Sequence, residues 1–280
     1  MQYKPVLYML VSAISFAFMN ALVKHLTNFS VYQVVFFRSI GTLVFTSVFI
    51  AKNNISFLGN NKKLLIARAF LGVVSITCFF ESLKYLPVGT SVSLRYTSPI
   101  FAAIFALFLL KEKIKLIQWL LFLLAFLGVL IIKQFGGGLH EIGLLLIIIS
   151  AITLGFIFVL IRKMGSTENP LVIINYFMLF AFIFGGIMSV SNWQNPTSNE
   201  LILLLSLGVL GYIGQYYMTK AFQANETNII APLKYLEVIV VIIIGAAWFN
   251  EIYNVWSLLG VLLIISSLSF NIYVKSKKQK

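Results

Sequence analysis

Four ionisable side chains, Arg38, Arg95, Lys234 and Glu237, interrupt stretches of otherwise apolar residues. A charge near the centre of a membrane-crossing run costs about 2.5–3.5 kcal/mol, so each requires a reason to be there. Lys234 and Glu237 are three residues apart and share a helical face. Two chemistries fit these residue types. In one, Arg38, Arg95 and Lys234 converge in a polar cavity on an anionic group, while Glu237 receives an amino group or a proton. In the other, Lys234 pairs with Glu237 and the arginines bond helix carbonyls, which fixes packing alone. Three cations against one carboxylate leave charge uncompensated, and this favours the cavity. Tyr96 and Tyr235 directly follow Arg95 and Lys234, where they can stack on a ligand, hydrogen-bond it, or simply fill space. Ser98 stands three residues after Arg95, as Glu237 does after Lys234. The candidate binding residues are therefore Arg38, Arg95, Tyr96, Ser98, Lys234, Tyr235 and Glu237, with Asn20, Asn175, Gln215 and Tyr216 as uncharged candidates. Arg68 and Glu81, near opposite ends of one run, read as rim residues, Glu81 also as a gate candidate; Lys220 reads as solvated.

Much other chemistry is excluded. All eight acidic residues are glutamates, so aspartyl-phosphate pumps, aspartate-built magnesium sites and aspartic intramembrane proteases are ruled out. There is no G-x-x-x-x-G-K-[ST] loop to bind a nucleotide. Cys78 is the single cysteine, and His25 and His140 stand where apolar runs end, which gives no basis for a zinc site or a Ser-His pair in the membrane. No cofactor, metal or enzymatic activity is expected.

The elements that must position these residues follow from composition. In 280 residues, 60% are hydrophobic, 10% are charged and the mean hydropathy is +0.97, too little polar surface for a soluble domain. Ten apolar runs are long enough for helices that cross the bilayer: Pro5 to Val23, Val31 to Ala51, Leu64 to Leu83, Val88 to Leu110, Leu116 to Ile132, Ile142 to Ile161, Pro170 to Val190, Leu201 to Thr219, Asn228 to Phe249 and Asn254 to Val274. They are apolar on every side and too long for strands of a membrane barrel. The first run is read as a span and not a cleaved signal, because it has a counterpart later in the chain. Lys and Arg outside the runs divide about fourteen to three in favour of the side holding both termini, which the positive-inside rule makes cytoplasmic. The net charge of +13 is thus mainly a topology signal, and no nucleic-acid partner is expected. Arg38 and Arg95 then lie about 10 Å from the external ends of their runs, and Glu237 is close to the midplane.

The halves repeat with a period of about 139 residues. Ser12-Ala13-Ile14 returns as Ser150-Ala151-Ile152, Leu94-Arg95-Tyr96 as Leu233-Lys234-Tyr235, and Glu112 as Glu251. Five runs per copy invert the second copy in the membrane, giving an all-α membrane protein of ten transmembrane helices in two inverted five-helix repeats, 1–138 and 139–280. Inverted repeats are characteristic of secondary transporters.

Ala231-Pro232-Leu233-Lys234-Tyr235-Leu236-Glu237, then Asn250-Glu251 and Leu259-Gly260, resemble the end of an EamA-type transporter of the drug/metabolite transporter superfamily. Pro99, Lys111-Glu112 and Leu127-Gly128 resemble the equivalent part of the first half. The resemblance implies runs one to four and six to nine around a central cavity, with runs five and ten peripheral and linked to homodimerisation. It also implies a small-molecule substrate moved by proton-coupled, exchange or facilitated transport in a bacterial-type inner membrane. The Lys-Tyr-Leu-Glu segment looks closest to members that handle zwitterionic or nucleoside-bearing metabolites. Together with the charges, this predicts a secondary transporter of an anionic or zwitterionic metabolite; a passive channel or scaffold is the alternative, an integral-membrane enzyme a weaker one.

Overall fold

A computed structural model describes residues 3–109, 116–135, 139–224 and 234–276. Apart from two short 3-10 turns, its regular elements are α-helices: α1 (Tyr3–His25), α2 (Val31–Lys52), α3 (Lys62–Ser82), α4 (Val88–Arg95), α5 (Ser98–Leu109), α6 (Leu116–Phe135), α7 (Glu141–Met164), α8 (Pro170–Ser189), α9 (Ser198–Ala224), α10 (Tyr235–Phe249) and α11 (Val255–Ser276). Polar caps start several of them where the apolar runs begin. Ser30 accepts from the Gln33 N–H of α2, Asn61 from the Leu64 N–H of α3, and Asn169 from the Leu171 N–H beside Pro170 of α8. Among the described residues, seven helices are long and apolar enough to cross a membrane, with α4 and α5 counted together as Val88–Leu109; Leu116–Gly128, Leu236–Phe249 and Val255–Ser267 are shorter apolar stretches. The outer surface is apolar, with Leu123, Ile187 and Leu262 each more than half exposed, as contact with lipid requires.

The predicted fourth helix is interrupted. Pro99 has no N–H to donate, and its ring opposes the carbonyl one turn earlier, so the chain breaks at Tyr96 and Thr97 and restarts at Ser98. Tighter bonds bridge the gap, from Tyr96 N to Ser93 O at 3.2 Å and from Thr97 N to Leu94 O at 3.1 Å. Residues 228–233 of the predicted ninth run lie outside the described residues.

Most of the packing joins the first half to the second. α1 packs on α9 and α3 on α7; α2 packs on both α8 and α9, and α3 on α8; α1 meets α10 as α5 meets α7; α4 faces α10 and α6 faces α11. If α1–α3 are exchanged for α7–α9, the α4–α5 pair for α10 and α6 for α11, this pattern maps onto itself. The repeated serines show the same symmetry. Ser12 Oγ donates to Gly214 O at 2.7 Å across α1 and α9, and Ser150 Oγ donates to Ser75 O at 2.8 Å across α7 and α3. The Ser-Ala-Ile repeat is therefore a helix-crossing device.

Lipid offers no hydrophobic drive between helices, so close crossings depend on small residues. At Gly41 of α2 and Gly208 of α9 the two backbones touch: a methyl added at 41 would lie 2.7 Å from Gly208 Cα. Thr42 Oγ1 donates to Gly208 O beside this contact, at 2.9 Å. Gly208→Val is expected to destabilise the protein by roughly 1–3 kcal/mol through overpacking, read as a lower melting temperature in detergent, whereas Val209→Ala, at the exposed neighbouring position, should have little effect.

Candidate functional site

The crossing helices enclose a cavity of about 50 Å³ lined from both halves. Four of the lining residues are cations: Arg38 from α2, Arg68 from α3, Arg95 at the last position of α4 and Lys234 at the start of α10. Glu237, in the first turn of α10, is the only carboxylate in the lining among the described residues. At about 10–15 Å³ per water, this volume admits a few water molecules, so a metabolite requires the helices to part.

Glu237 is 2% exposed. It accepts a hydrogen bond from Asn20 Nδ2 of α1 at 2.8 Å and a second from the Tyr96 hydroxyl at the helix break. Among the described residues the ion pairs are Lys24–Glu251 and Lys84–Glu81, so a direct Lys234–Glu237 pair does not form. Lys234 Nζ instead donates to the Met218 thioether at 3.5 Å and lies 5.0 Å from the Phe16 ring centroid and 5.2 Å from that of Tyr96. The Arg38 guanidinium likewise donates to a thioether, Met19 Sδ at 3.3 Å, and not to a carbonyl. Arg95 Cζ lies 4.1 Å from the Phe79 ring centroid. Aromatic faces and sulfur solvate these cations in part, through quadrupole and polarisability. They leave the N–H edges unmet: Arg38 Nη1, Arg68 Nε and Nη1, Arg95 Nε and Gln215 Nε2 have no hydrogen-bond partner among the described residues.

Not every sequence candidate faces the cavity. Ser98 is buried outside the lining, with its carbonyl against Gly155 of α7. The side chain of Tyr235 lies outside the described residues. Asn175 donates to Thr46 and Ser47 hydroxyls at 3.0 Å each, a packing role between α8 and α2. Tyr216 stacks near Tyr212 and beneath Lys220. Asn20 and Gln215 do line the cavity.

Arg68 corrects the rim reading: it is 2% exposed and points into the cavity, its Cζ 4.2 Å from the Phe177 centroid. The sequence signal lay one turn later. A methyl at Gly72 would come within 2.7 Å of Arg68 Nη1 and 2.6 Å of the Phe177 ring, so glycine makes room for both. Glu81, by contrast, stays half-buried and pairs with Lys84 at 3.1 Å.

A second polar cluster closes the end of the bundle where α1 ends and α4 begins. The Glu251 carboxylate accepts the Val88 N–H at 3.0 and 3.1 Å, capping α4 from the other half of the chain. Tyr253 donates its hydroxyl to Glu251 and accepts the Gly89 N–H at 3.2 Å. Burial, reinforced by the Glu251 charge, pushes the Tyr253 hydroxyl well above its usual range, so it remains a donor. Lys24 stands 4.0 Å from Glu251 and donates to Leu83 O at 2.6 Å and Leu86 O at 3.1 Å. The sequence marks Glu251 as one member of a repeated pair and as part of the family resemblance, and gives it no partner.

A multi-pass helical membrane protein with a cationic cavity between two like halves has the architecture of a small-molecule carrier. Residues 3–134 and 141–273 each match the EamA-like transporter family, and the chain belongs to that family. It is similar over 264 residues, at 26% identity and 93% of each chain, to the pseudopaline exporter of Pseudomonas aeruginosa (strain UCBPP-PA14). It is 25% identical over 272 residues, 96% of this chain and 92% of the other, to the S-adenosylmethionine uptake transporter of Rickettsia conorii. The riboflavin transporter of Vibrio cholerae matches at 25% over 215 residues, 76% of this chain and 72% of that one. A crystal structure superposes with a TM-score of 0.72 over 99% of this chain and 97% of the other at 13% identity, a likeness of fold.

Unpaired buried cations that serve a ligand can be removed without structural cost, whereas breaking a buried pair costs about 3–5 kcal/mol. Arg95→Gln and Lys234→Gln are expected to weaken substrate binding by the purified protein while leaving its melting temperature at or above that of the parent. Unchanged affinity with a melting temperature lowered by several degrees would assign these side chains to packing.

Proposed function

We propose that this protein is a secondary transporter that carries a small anionic or zwitterionic metabolite by alternating access. The observation that supports this best is the cavity between the halves, where, among the described residues, four cations meet one carboxylate and several N–H groups have no acceptor. Arg38, Arg95 and Lys234 attract the acidic group, and Glu237, held by Asn20 and Tyr96, takes the amino group or a proton. Relatives named for exporting one metabolite and for taking up another favour a metabolite cargo and leave the direction open.

The membrane arrangement is part of the same proposal. Ten spans form two inverted repeats, 1–138 and 139–280, with both termini on the cytoplasmic side of a bacterial-type inner membrane, as the lysine and arginine bias requires. On that orientation the Glu251, Tyr253 and Lys24 cluster closes the external end of the cavity, and its release accompanies outward opening. The α6–α11 pair stands at the periphery and is the surface for a homodimer.

Counterflow in proteoliposomes tests the reading against a channel or scaffold. Metabolites retained differently by cells with and without the protein identify the label, and a carrier accelerates its uptake when unlabelled compound is loaded inside. Absence of trans-stimulation for every such metabolite would overturn the proposal. Glu237→Gln is expected to abolish accumulation driven by a pH gradient but to preserve exchange; pH-driven uptake by this variant would remove the proton from the mechanism.

A further inference from the structure

The cavity has two chemically different ends. At one end, guanidinium groups from α2 and α3 flank a single ring, with Arg68 Cζ 4.2 Å and Arg38 Cζ 5.8 Å from the Phe177 centroid. Both side chains are almost wholly buried, at 1% exposed for Arg38 and 2% for Arg68. Neither has a carboxylate within ion-pair distance among the described residues. Phe177 satisfies guanidinium faces, but the N–H groups lie in the guanidinium plane and require acceptors. Arg38 Nη1 and Arg68 Nε and Nη1 have none within the described protein.

Space is reserved for these groups at two glycines. A methyl at Gly72 would come within 2.7 Å of Arg68 Nη1, and one at Gly211 within 3.1 Å of Arg38 Nε. At the other end, Glu237 and the unpartnered Asn20 Oδ1 supply acceptors beside Lys234. Arg95 lines the same cavity, its Cζ 4.1 Å from the Phe79 centroid and its Nε without an acceptor among the described residues. A cargo with one carboxylate could engage one end and would leave the other pair of cations uncompensated in a medium of low dielectric.

We propose that Arg38 and Arg68 form a second acid-binding subsite, so that the cargo is an amino-acid derivative bearing at least two carboxylates. One carboxylate lies in the planar forks of Arg38 and Arg68, which suit bidentate acceptors. Another lies with Arg95 and Lys234, and the ammonium lies on Glu237. This inference rests on the transporter reading above and sharpens it from charge sign to number of acidic groups.

The test uses the purified full-length protein and three probes that share one ammonium-bearing backbone: L-glutamine, L-glutamate and L-γ-carboxyglutamate, with one, two and three carboxylates. Melting temperature is followed against probe concentration. The midpoint is expected to fall by about tenfold or more from glutamine to glutamate, with γ-carboxyglutamate at least as potent. In Arg38→Gln and Arg68→Gln the midpoints should converge, and Arg68→Lys, which keeps the charge but not the fork, should fall between. Equal midpoints in the parent, no response to any of the three probes, or an undiminished glutamate preference in Arg68→Gln would overturn the subsite. Counterflow of the metabolites retained by expressing cells reads transport separately. Trans-stimulation by cargo with a single acidic group overturns the subsite and leaves the transporter standing, whereas no trans-stimulation by any retained metabolite overturns the transporter itself.

Discussion

Positive charge exceeds negative charge among the described residues at the centre of this bundle, where water is scarce. Arg38, Arg68, Arg95 and Lys234 share a cavity with Glu237, its one carboxylate among the described residues. Desolvating a charge costs several kcal/mol even after relaxation, and that cost is recovered only by close partners. The fold supplies partial compensation through Phe16, Phe79, Phe177, Met19 and Met218, which polarise toward a cation without cancelling it. What they leave over is a standing free-energy gain for any anion that enters. The scaffold around the cavity supplies the stability that the site itself does not, through glycine and serine crossings that bring backbones into contact.

In the proposed mechanism, symmetry determines how such a site is reached from two sides. The contacts between halves map onto themselves when the halves are exchanged, and the cavity lies on the seam. Its lining comes from the helices that the family resemblance places around a central space; none of the described side chains of α6 and α11 is part of it. A seam held by short polar contacts and small residues can shear or rock as a unit, and the helix break at Tyr96 and Thr97 puts a tyrosine hydroxyl at the point where the halves meet. The Glu251 cap on α4 joins the same two halves at one end of the bundle, so separating them there breaks a defined set of hydrogen bonds.

Much of this was legible in the sequence, and the exceptions have physical causes. Apolar runs locate helices because lipid forces the backbone to satisfy itself: the run Val31 to Ala51 becomes Val31–Lys52, and Pro170 to Val190 becomes Pro170–Ser189. The repeat of Arg95-Tyr96 and Lys234-Tyr235 leads to the cavity because equivalent positions face a common axis. Arg68 escapes the same reasoning, since depth along a helix says little about how far a long side chain reaches inward; Gly72 one turn on was the local clue. The Lys234–Glu237 spacing allows an ion pair, yet tertiary donors from Asn20 and Tyr96 take the carboxylate instead. Ser98 matches Glu237 in the repeat, but the restart of the helix at that residue turns it into the packing surface against α7. Spacing determines which residues share a face and does not decide which neighbour wins the contact.

On the proposed function, the buried cations exist for the cargo. A structure of the purified protein with a transported metabolite bound tests it most directly. The acidic groups of that metabolite are expected within hydrogen-bond distance of the Arg38, Arg95 and Lys234 side chains, in a cavity enlarged from about 50 Å³. A metabolite bound elsewhere, with these cations keeping their present aromatic and thioether contacts, would contradict it.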